Sequence, residues 1–121
     1  MHLIEQRINS FKYAFKGLKW AYSRHPNYRI HLLLSILSVI FGTVLGISYI
    51  TWIFLIFTIT LGFVIESINT AIEATCDAID TNFREDILLA KDVSAAAMLI
   101  YSIGAILIAF CLFVPKILTL L

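Results

Sequence analysis

The stretch FVIESINTAIEATCDAID, residues 63–80, decides how the rest of the sequence can fold. Four of its polar residues follow one another at steps of three, four and four positions: Glu66, Asn69, Glu73 and Asp77. On an α-helix these steps place all four side chains on one face, while the isoleucines between them fall on other faces. A carboxylate near the middle of a membrane helix costs about 2.5–3.5 kcal/mol on insertion scales. Two carboxylates with an asparagine between them therefore indicate a face turned towards a bundle interior or a wet cavity.

The composition of the chain is that of an integral membrane protein. Hydrophobic residues make up 60% of the 121 residues, charged residues 14%, and the mean hydropathy is +0.92. A soluble domain of this length cannot bury so much apolar surface, so we expect one membrane-embedded domain over residues 1–121. Cys76 and Cys111 lack a metal-binding spacing, and we expect no disulfide framework. The first apolar run starts near Ile30, after a long polar segment, so we expect it to stay as a spanning helix.

Charge is distributed unevenly along the chain, although its formal net charge is only +1. Six of the nine basic residues precede the first long apolar run: Arg7, Lys12, Lys16, Lys19, Arg24 and Arg29. Six of the eight acidic residues lie between Glu66 and Asp86. A basic N-terminal segment of this kind indicates contact with lipid headgroups rather than with nucleic acid.

Residues 1–24 have the periodicity of an amphipathic helix. Apolar residues recur at helical spacing: Ile4, Ile8, Phe11, Phe15, Leu18 and Tyr22. Lysines occupy the other side, and a basic helix with aromatic residues is typical of one lying in the membrane interface. The alternative, a surface helix on a soluble core, is disfavoured because the rest of the chain offers no such core. Pro26 should end this helix, since it lacks an amide donor and shifts His25 towards extended geometry.

Two apolar runs predict three membrane-spanning helices. Residues 30–65 contain no charged side chain. One helix of that length would be about 54 Å long, against a hydrocarbon core of about 30 Å, so the run must contain a turn. We place spans at 30–46 and 50–71, with the turn at Gly46–Tyr49.

The third span is predicted at 93–114, with Pro115 and Lys116 at its end. Between the second and third spans, residues 78–92 are predicted to form a cytoplasmic loop with some helix. The basic N-terminal segment belongs in the cytoplasm, which places the 78–92 loop on the same side. The predicted fold class is thus an all-α membrane protein with an amphipathic surface helix followed by three spans.

The acidic face carries groups suited to phosphoryl transfer. Glu66, the deepest acid, suits a general base. Glu73 suits a Mg²⁺ ion that takes one or two carboxylates together with substrate phosphates. Lys91 can place a point charge on a phosphate. No P-loop motif is present, so an ATP site here would be of another type.

Two other interpretations of these residues stay open. Glu66 and Asn69 could hold the helices of an inert bundle together. A transporter with a proton-relay carboxylate is the other possibility, although three spans leave little room for a substrate path unless the chain oligomerises.

Three segments of the chain resemble the small prokaryotic diacylglycerol kinase family, which includes the undecaprenol kinases. The run from Glu66 to Ala74, with Asp77 after it, is similar to the family signature. Lys91-Asp92 before Ser94 resembles its second motif, and Phe15-Lys16-Gly17-Leu18 followed by Tyr28-Arg29 resembles its N-terminal pattern. The order and spacing match over almost the whole chain.

This resemblance implies a homotrimer with sites shared between neighbouring subunits in the bacterial inner or cytoplasmic membrane. It implies transfer of the ATP γ-phosphate to the hydroxyl of diacylglycerol or undecaprenol, with Mg²⁺, at the cytoplasmic face. Glu66 matches the catalytic base and contacts the lipid, Glu73 matches the metal carboxylate, and Asn69 a polar active-site residue. The residues that match nucleotide contacts are Tyr13, Glu73, Asn82, Phe83, Arg84, Lys91 and Asp92. Ala95 falls at a position expected near the lipid.

One position departs from the family pattern. The family commonly has a glutamate, a second metal ligand, where this chain has His25. Imidazole is a poorer Mg²⁺ ligand than carboxylate, so the departure allows weaker metal binding, an altered metal preference, or a catalytically weakened relative. The resemblance therefore predicts an ATP-dependent lipid kinase, with a non-catalytic membrane relative of these kinases as the alternative.

Overall fold

The computed structural model describes residues 1–121 and contains four α-helices and no strand. Their bounds are α1 His2–Arg24, α2 Pro26–Leu45, α3 Tyr49–Ile79 and α4 Glu85–Leu118. By length and composition, α2, α3 and α4 can each cross a membrane. The all-α fold class with three candidate spans after an N-terminal helix is therefore confirmed.

Helix α1 is a surface helix that almost nothing in the chain covers. Of its 23 residues only Ala21 is buried. Its apolar side chains stay open, as Phe15 shows with 68% of its surface exposed. An apolar face without a protein partner fits the predicted position in the membrane interface.

The elbow after α1 forms where the sequence predicts it. His25 is extended, with φ −111° and ψ 111°, and its amide donates to the carbonyl of Ala21 at 2.9 Å. Pro26 then takes the first position of α2. Its missing amide is harmless there, because the first helical residues have no intrahelical acceptor.

The turn between α2 and α3 depends on one glycine and one cap. Gly46 has φ 61°, a left-handed conformation that glycine adopts without steric cost. Ser48 then caps α3, its hydroxyl accepting from the amide of Thr51 at 3.3 Å. The chain therefore turns between Leu45 and Tyr49, where the sequence predicts a turn at Gly46–Tyr49.

The helices extend beyond the predicted spans at the loop between α3 and α4 and at the C-terminal end. Only residues 80–84 are non-helical between α3 and α4, so residues 85–92 of the predicted loop are helical. Glu85 and Asp86 in the first turn of α4 complement the positive end of the helix dipole, which favours this early start. Pro115 does not end α4, which runs on to Leu118. A proline near the end of a helix removes only one backbone donor, and the amide of Thr119 still reaches the carbonyl of Pro115 at 3.2 Å.

The interior of a single chain is small. Helix α3 packs chiefly against α4, and the buried apolar residues at the Gly46 end are Ile47, Leu55 and Phe113. Only 14 of the 121 residues are buried. Most apolar side chains of α2, α3 and α4 thus face outwards, as a lipid environment permits.

Gly62 lets aromatic side chains from α2 and α4 approach α3 directly. A Cβ at this position would overlap the imidazole of His31 and the hydroxyl of Tyr101. Contacts oppose a shift of either ring: His31 packs edge-on against Phe63 with centroids 4.5 Å apart, and Tyr101 donates to the carbonyl of Thr58 at 2.6 Å. Helices α2, α3 and α4 therefore meet at Gly62, one helical turn before Glu66 in the sequence.

Gly62→Ala should destabilise the fold by about 1–2 kcal/mol. Overpacking typically costs about 1–3 kcal/mol, and the better helix propensity of alanine offsets up to about 1 kcal/mol of it. Gly104→Ala is the matched control, because a Cβ there meets nothing within 4 Å. The measurement is the free energy of unfolding in mixed micelles with rising SDS. Equal stability of the two variants would contradict the close packing at Gly62.

Candidate active site

The polar face of α3 is turned inwards, as its spacing predicts. Glu66 is the most buried large side chain of the protein, with 1% of its surface exposed, and Asn69 and Thr70 are buried beside it. Oε2 of Glu66 and Oγ1 of Thr70 have no hydrogen-bond partner. A buried carboxylate oxygen without a partner is costly, so Oε2 of Glu66 is an acceptor that the single chain leaves unsatisfied.

A chain of hydrogen bonds connects α4 to the carboxylate of Glu73. The hydroxyl of Ser94 donates to Oδ1 of Asn69, and Nδ2 of Asn69 donates to Oε1 of Glu73 at 3.3 Å. Asn69 and Glu73 are one helical turn apart, which is why they meet. The second oxygen of Glu73 is left for another partner.

Oε2 of Glu73 faces the elbow between α1 and α2. Nδ1 of His25 lies 3.8 Å from Oε2 of Glu73. The imidazole is held by the extended backbone before Pro26 and by the ring of Trp20, whose centroid is 5.3 Å away. The structure therefore brings together the two predicted metal-site residues, His25 and Glu73.

The donor set fits a divalent ion that takes few protein ligands. No group of three or more His, Cys, Asp or Glu side chains is present that could enclose a metal. Mg²⁺ usually binds one or two carboxylates and completes its shell with water and phosphate oxygens, and Glu73 offers such a carboxylate. Two atoms each about 2.1 Å from one metal lie at most about 4.2 Å apart, so His25 is also within reach.

The basic group of the second motif is fixed to the same helix face. Nζ of Lys91 donates to Oδ1 of Asp77 at 2.5 Å. Asp77 follows Glu73 by one helical turn, so Lys91 is held at the end of the acidic face nearest the loop of residues 80–84. Both side chains remain partly exposed, at 36% and 55%, and a phosphate can therefore reach the ammonium group.

The loop residues form their own contacts beside Lys91. Asn82 donates through its backbone and side-chain amides to Oδ1 of Asp80, and Arg84 makes two hydrogen bonds to Asp86. A shallow cleft of about 290 Å³ lies between this loop and the start of α4, and Lys91 lines it together with Asn82, Phe83 and Arg84. Four predicted nucleotide contacts thus line one cleft.

Other predicted site residues are not brought into this group. Tyr13 lies on α1 with 70% of its surface exposed, and Asp92 and Ala95 are exposed on α4. No hydrogen bond or ion pair joins any of the three to the acidic face. Their assignment stays a prediction from the resemblance.

Sequence reasoning missed three polar residues beside the acidic face. From the sequence, Ser94 is only a residue that follows the Lys91-Asp92 motif, and Thr70 and Ser67 are parts of the signature without a role. In the structure the hydroxyl of Ser67 lies 3.0 Å from that of Tyr28, which connects α2 to α3. Ser94 lies three residues after Lys91 and seven after the buried Ile87, so it shares the inward face of α4, and that spacing was the available signal.

Comparison with known proteins gives one family for the chain. The model of the family described as prokaryotic diacylglycerol kinase matches residues 12–113. A diacylglycerol kinase of Escherichia coli K12 is 33% identical over 105 residues, which cover 87% of this chain and 85% of that protein. An undecaprenol kinase of Bacillus subtilis is 30% identical over 110 residues, covering 90% and 89%.

A longer relative is similar as well. A diacylglycerol kinase of Synechocystis is 31% identical over 113 residues, covering 93% of this chain, and the chain spans 65% of that protein's length. The family model covers more than four fifths of the chain, including both motifs and the spans between them. The family resemblance noted in the sequence is confirmed: this chain belongs to the prokaryotic diacylglycerol kinase family.

Proposed function

We propose that this protein transfers the γ-phosphate of ATP to the hydroxyl of a membrane lipid at the cytoplasmic face of the bacterial inner membrane. The family is one of lipid kinases, as the names of the relatives state. One observation carries the assignment to this site. A fully buried carboxylate, Glu66, lies on the same helix face as a partly exposed one, Glu73, within a helix able to span a membrane.

Glu66 is the proposed general base. The lipid oxygen forms a new bond to the γ-phosphorus, the bond from that phosphorus to the bridging oxygen of the β-phosphate breaks, and ADP leaves. The hydroxyl proton passes to Oε2 of Glu66. This oxygen is proposed for the role because it is buried and has no other hydrogen-bond partner. Little other covalent chemistry is needed, because phosphoryl transfer depends mainly on positioning and on charge stabilisation.

Glu73 is the proposed metal ligand, with His25 as a second candidate. When bound, Mg²⁺ neutralises charge on the β- and γ-phosphate oxygens. Asn69 holds one oxygen of Glu73, and the other faces the elbow, where a metal–nucleotide complex can approach from the cytoplasm.

Lys91 is the proposed phosphate contact at the cytoplasmic end of the site. The cleft beside it, with Asn82, Phe83 and Arg84, is the proposed place of the nucleotide. Asp92 and Tyr13 remain candidates for contacts across subunits, since both are exposed in a single chain. They fit the proposal that the protein acts as a homotrimer with shared sites.

The acceptor lipid is either diacylglycerol or undecaprenol. Relatives with each name are similar to this chain at nearly the same identity, 33% and 30%. Both lipids present one hydroxyl on an apolar body, and exposed Ala95 on α4 is a candidate contact for either.

Radiolabelled ATP should transfer phosphate to one of these lipids. The purified protein is offered diacylglycerol and undecaprenol in parallel mixed micelles, with Mg²⁺ and separately with Mn²⁺. Label in one lipid supports the kinase and identifies its acceptor. No label in either lipid with either metal would overturn the proposal and favour the non-catalytic relative.

A further inference from the structure

A serine on α4 reaches the acidic face of α3 through an asparagine. Ser94 and Asn69 are both buried, with 6% and 7% of their surface exposed. The hydroxyl of Ser94 donates to Oδ1 of Asn69, and Asn69 in turn donates to Glu73. The bond from Ser94 to Asn69 is the hydrogen bond that connects α4 to Glu73.

The direction of this hydrogen-bond chain is set by its last member. An ionised carboxylate can only accept hydrogen bonds. Asn69 must therefore turn its NH₂ group towards Glu73, since the reversed amide would place its oxygen against the carboxylate. With the amide in this orientation Oδ1 faces α4, and Ser94 has to act as the donor. A hydroxyl fulfils this requirement, whereas an alanine at position 94 would leave Oδ1 buried without a donor.

The two oxygens of Glu73 consequently have different surroundings. Oε1 accepts from Asn69 at 3.3 Å, and Oε2 lies 3.8 Å from Nδ1 of His25. A carboxylate on a flexible side chain that is 39% exposed would otherwise sample several rotamers. The chain from Ser94 thus holds Glu73 with one oxygen directed at the place where a metal can bind.

We propose that Ser94 is a positioning residue that fixes the amide of Asn69 and thereby orients the Glu73 carboxylate towards a divalent metal ion. This inference rests on the proposed function, in which Glu73 binds the metal. Partners that hydrogen-bond a ligating carboxylate commonly change metal affinity or activity by about 10–100-fold when they are removed. Ser94 would therefore affect metal binding without touching the metal.

The test measures Mn²⁺ binding rather than turnover. Mn²⁺ is titrated by electron paramagnetic resonance into the micellar protein with a non-hydrolysable ATP analogue. Ser94→Ala should weaken Mn²⁺ binding by about threefold to tenfold, less than the loss of about 10–100-fold expected on removal of Asn69, which contacts the carboxylate directly. Ser102→Ala is the matched control, because Ser102 is an exposed serine of α4 that donates only to the carbonyl of Met98 in its own helix. It should bind Mn²⁺ as the unaltered protein does.

A double-mutant cycle then tests whether Ser94 acts through Asn69. In an Asn69→Ala background, Ser94→Ala should weaken Mn²⁺ binding by less than about twofold, because its partner is already absent. Three results would each overturn the inference: Ser94→Ala with unaltered affinity, an equal loss in both backgrounds, or no Mn²⁺ binding by the unaltered protein. If the cycle behaves as expected but no lipid is phosphorylated, the positioning role stands and the proposed kinase activity fails. If lipid is phosphorylated but Ser94→Ala binds Mn²⁺ normally, the proposed kinase activity stands and the positioning role of Ser94 fails.

Discussion

Glu66→Gln should remove lipid phosphorylation while nucleotide binding stays close to that of the unaltered protein. Glutamine has almost the same shape as glutamate but cannot accept the hydroxyl proton. General-base catalysis contributes about 10²–10⁴-fold in rate, and we expect a loss of at least this size. The measurement is the initial rate of label transfer from ATP to the accepted lipid, together with binding of a fluorescent ATP analogue.

The stability of this variant separates chemistry from folding. Glu66 is buried and its Oε2 has no hydrogen-bond partner. A neutral amide at this position removes the free-energy cost of burying an unpaired charge. We therefore expect Glu66→Gln to unfold at the same or a higher SDS concentration than the unaltered protein. Glu5→Gln, which changes an exposed carboxylate of α1, is the control and should keep full activity. Undiminished turnover in Glu66→Gln would refute the assignment of the base.

Local signals in the sequence predict most of the fold. Pro26 and Gly46 act through their own backbones, by a missing donor and by a left-handed conformation, so the elbow and the turn can be located without tertiary information. The absence of charge over residues 30–65 likewise requires two spans. The early start of α4 at Glu85 was not predicted, because a polar composition describes a loop and a solvated helix equally well.

The site is less predictable, because only part of it follows from helical period. Glu66, Asn69 and Glu73 share a face of one helix, and spacing alone places them together. The contacts of His25 with Glu73 and of Ser94 with Asn69 join different helices, and their existence depends on how those helices pack. A single sequence carries no record of that packing. Thr70 is different, because it follows Glu66 by one helical turn and its inward direction is therefore implied by spacing alone.

Glu73→Ala should raise the Mg²⁺ concentration needed for half-maximal activity by at least about tenfold. Loss of a group that hydrogen-bonds a metal ligand typically lowers metal affinity by about 10–100-fold. Glu73→Ala removes the carboxylate ligand itself, so its effect should be at least as large. The measurement is a Mg²⁺ titration of label transfer at fixed ATP. Thr75→Ala, on the same helix, is the control, because Thr75 is exposed and donates only to the carbonyl of Ala71. An unchanged titration in Glu73→Ala would exclude it as a ligand.

The same titration can decide the role of the imidazole facing Glu73. A carboxylate suits Mg²⁺ better than imidazole does, and His25 is already within reach of a metal that Glu73 binds. If His25 is a ligand, His25→Glu should lower the Mg²⁺ requirement, and this effect should disappear when Glu73→Ala is added, because two ligands of one ion are not independent. If His25 only pairs with Glu73 or packs on Trp20, its replacement would leave the Mg²⁺ requirement unchanged. The low count of protein ligands would then mean that phosphate oxygens and water supply the rest of the metal's shell.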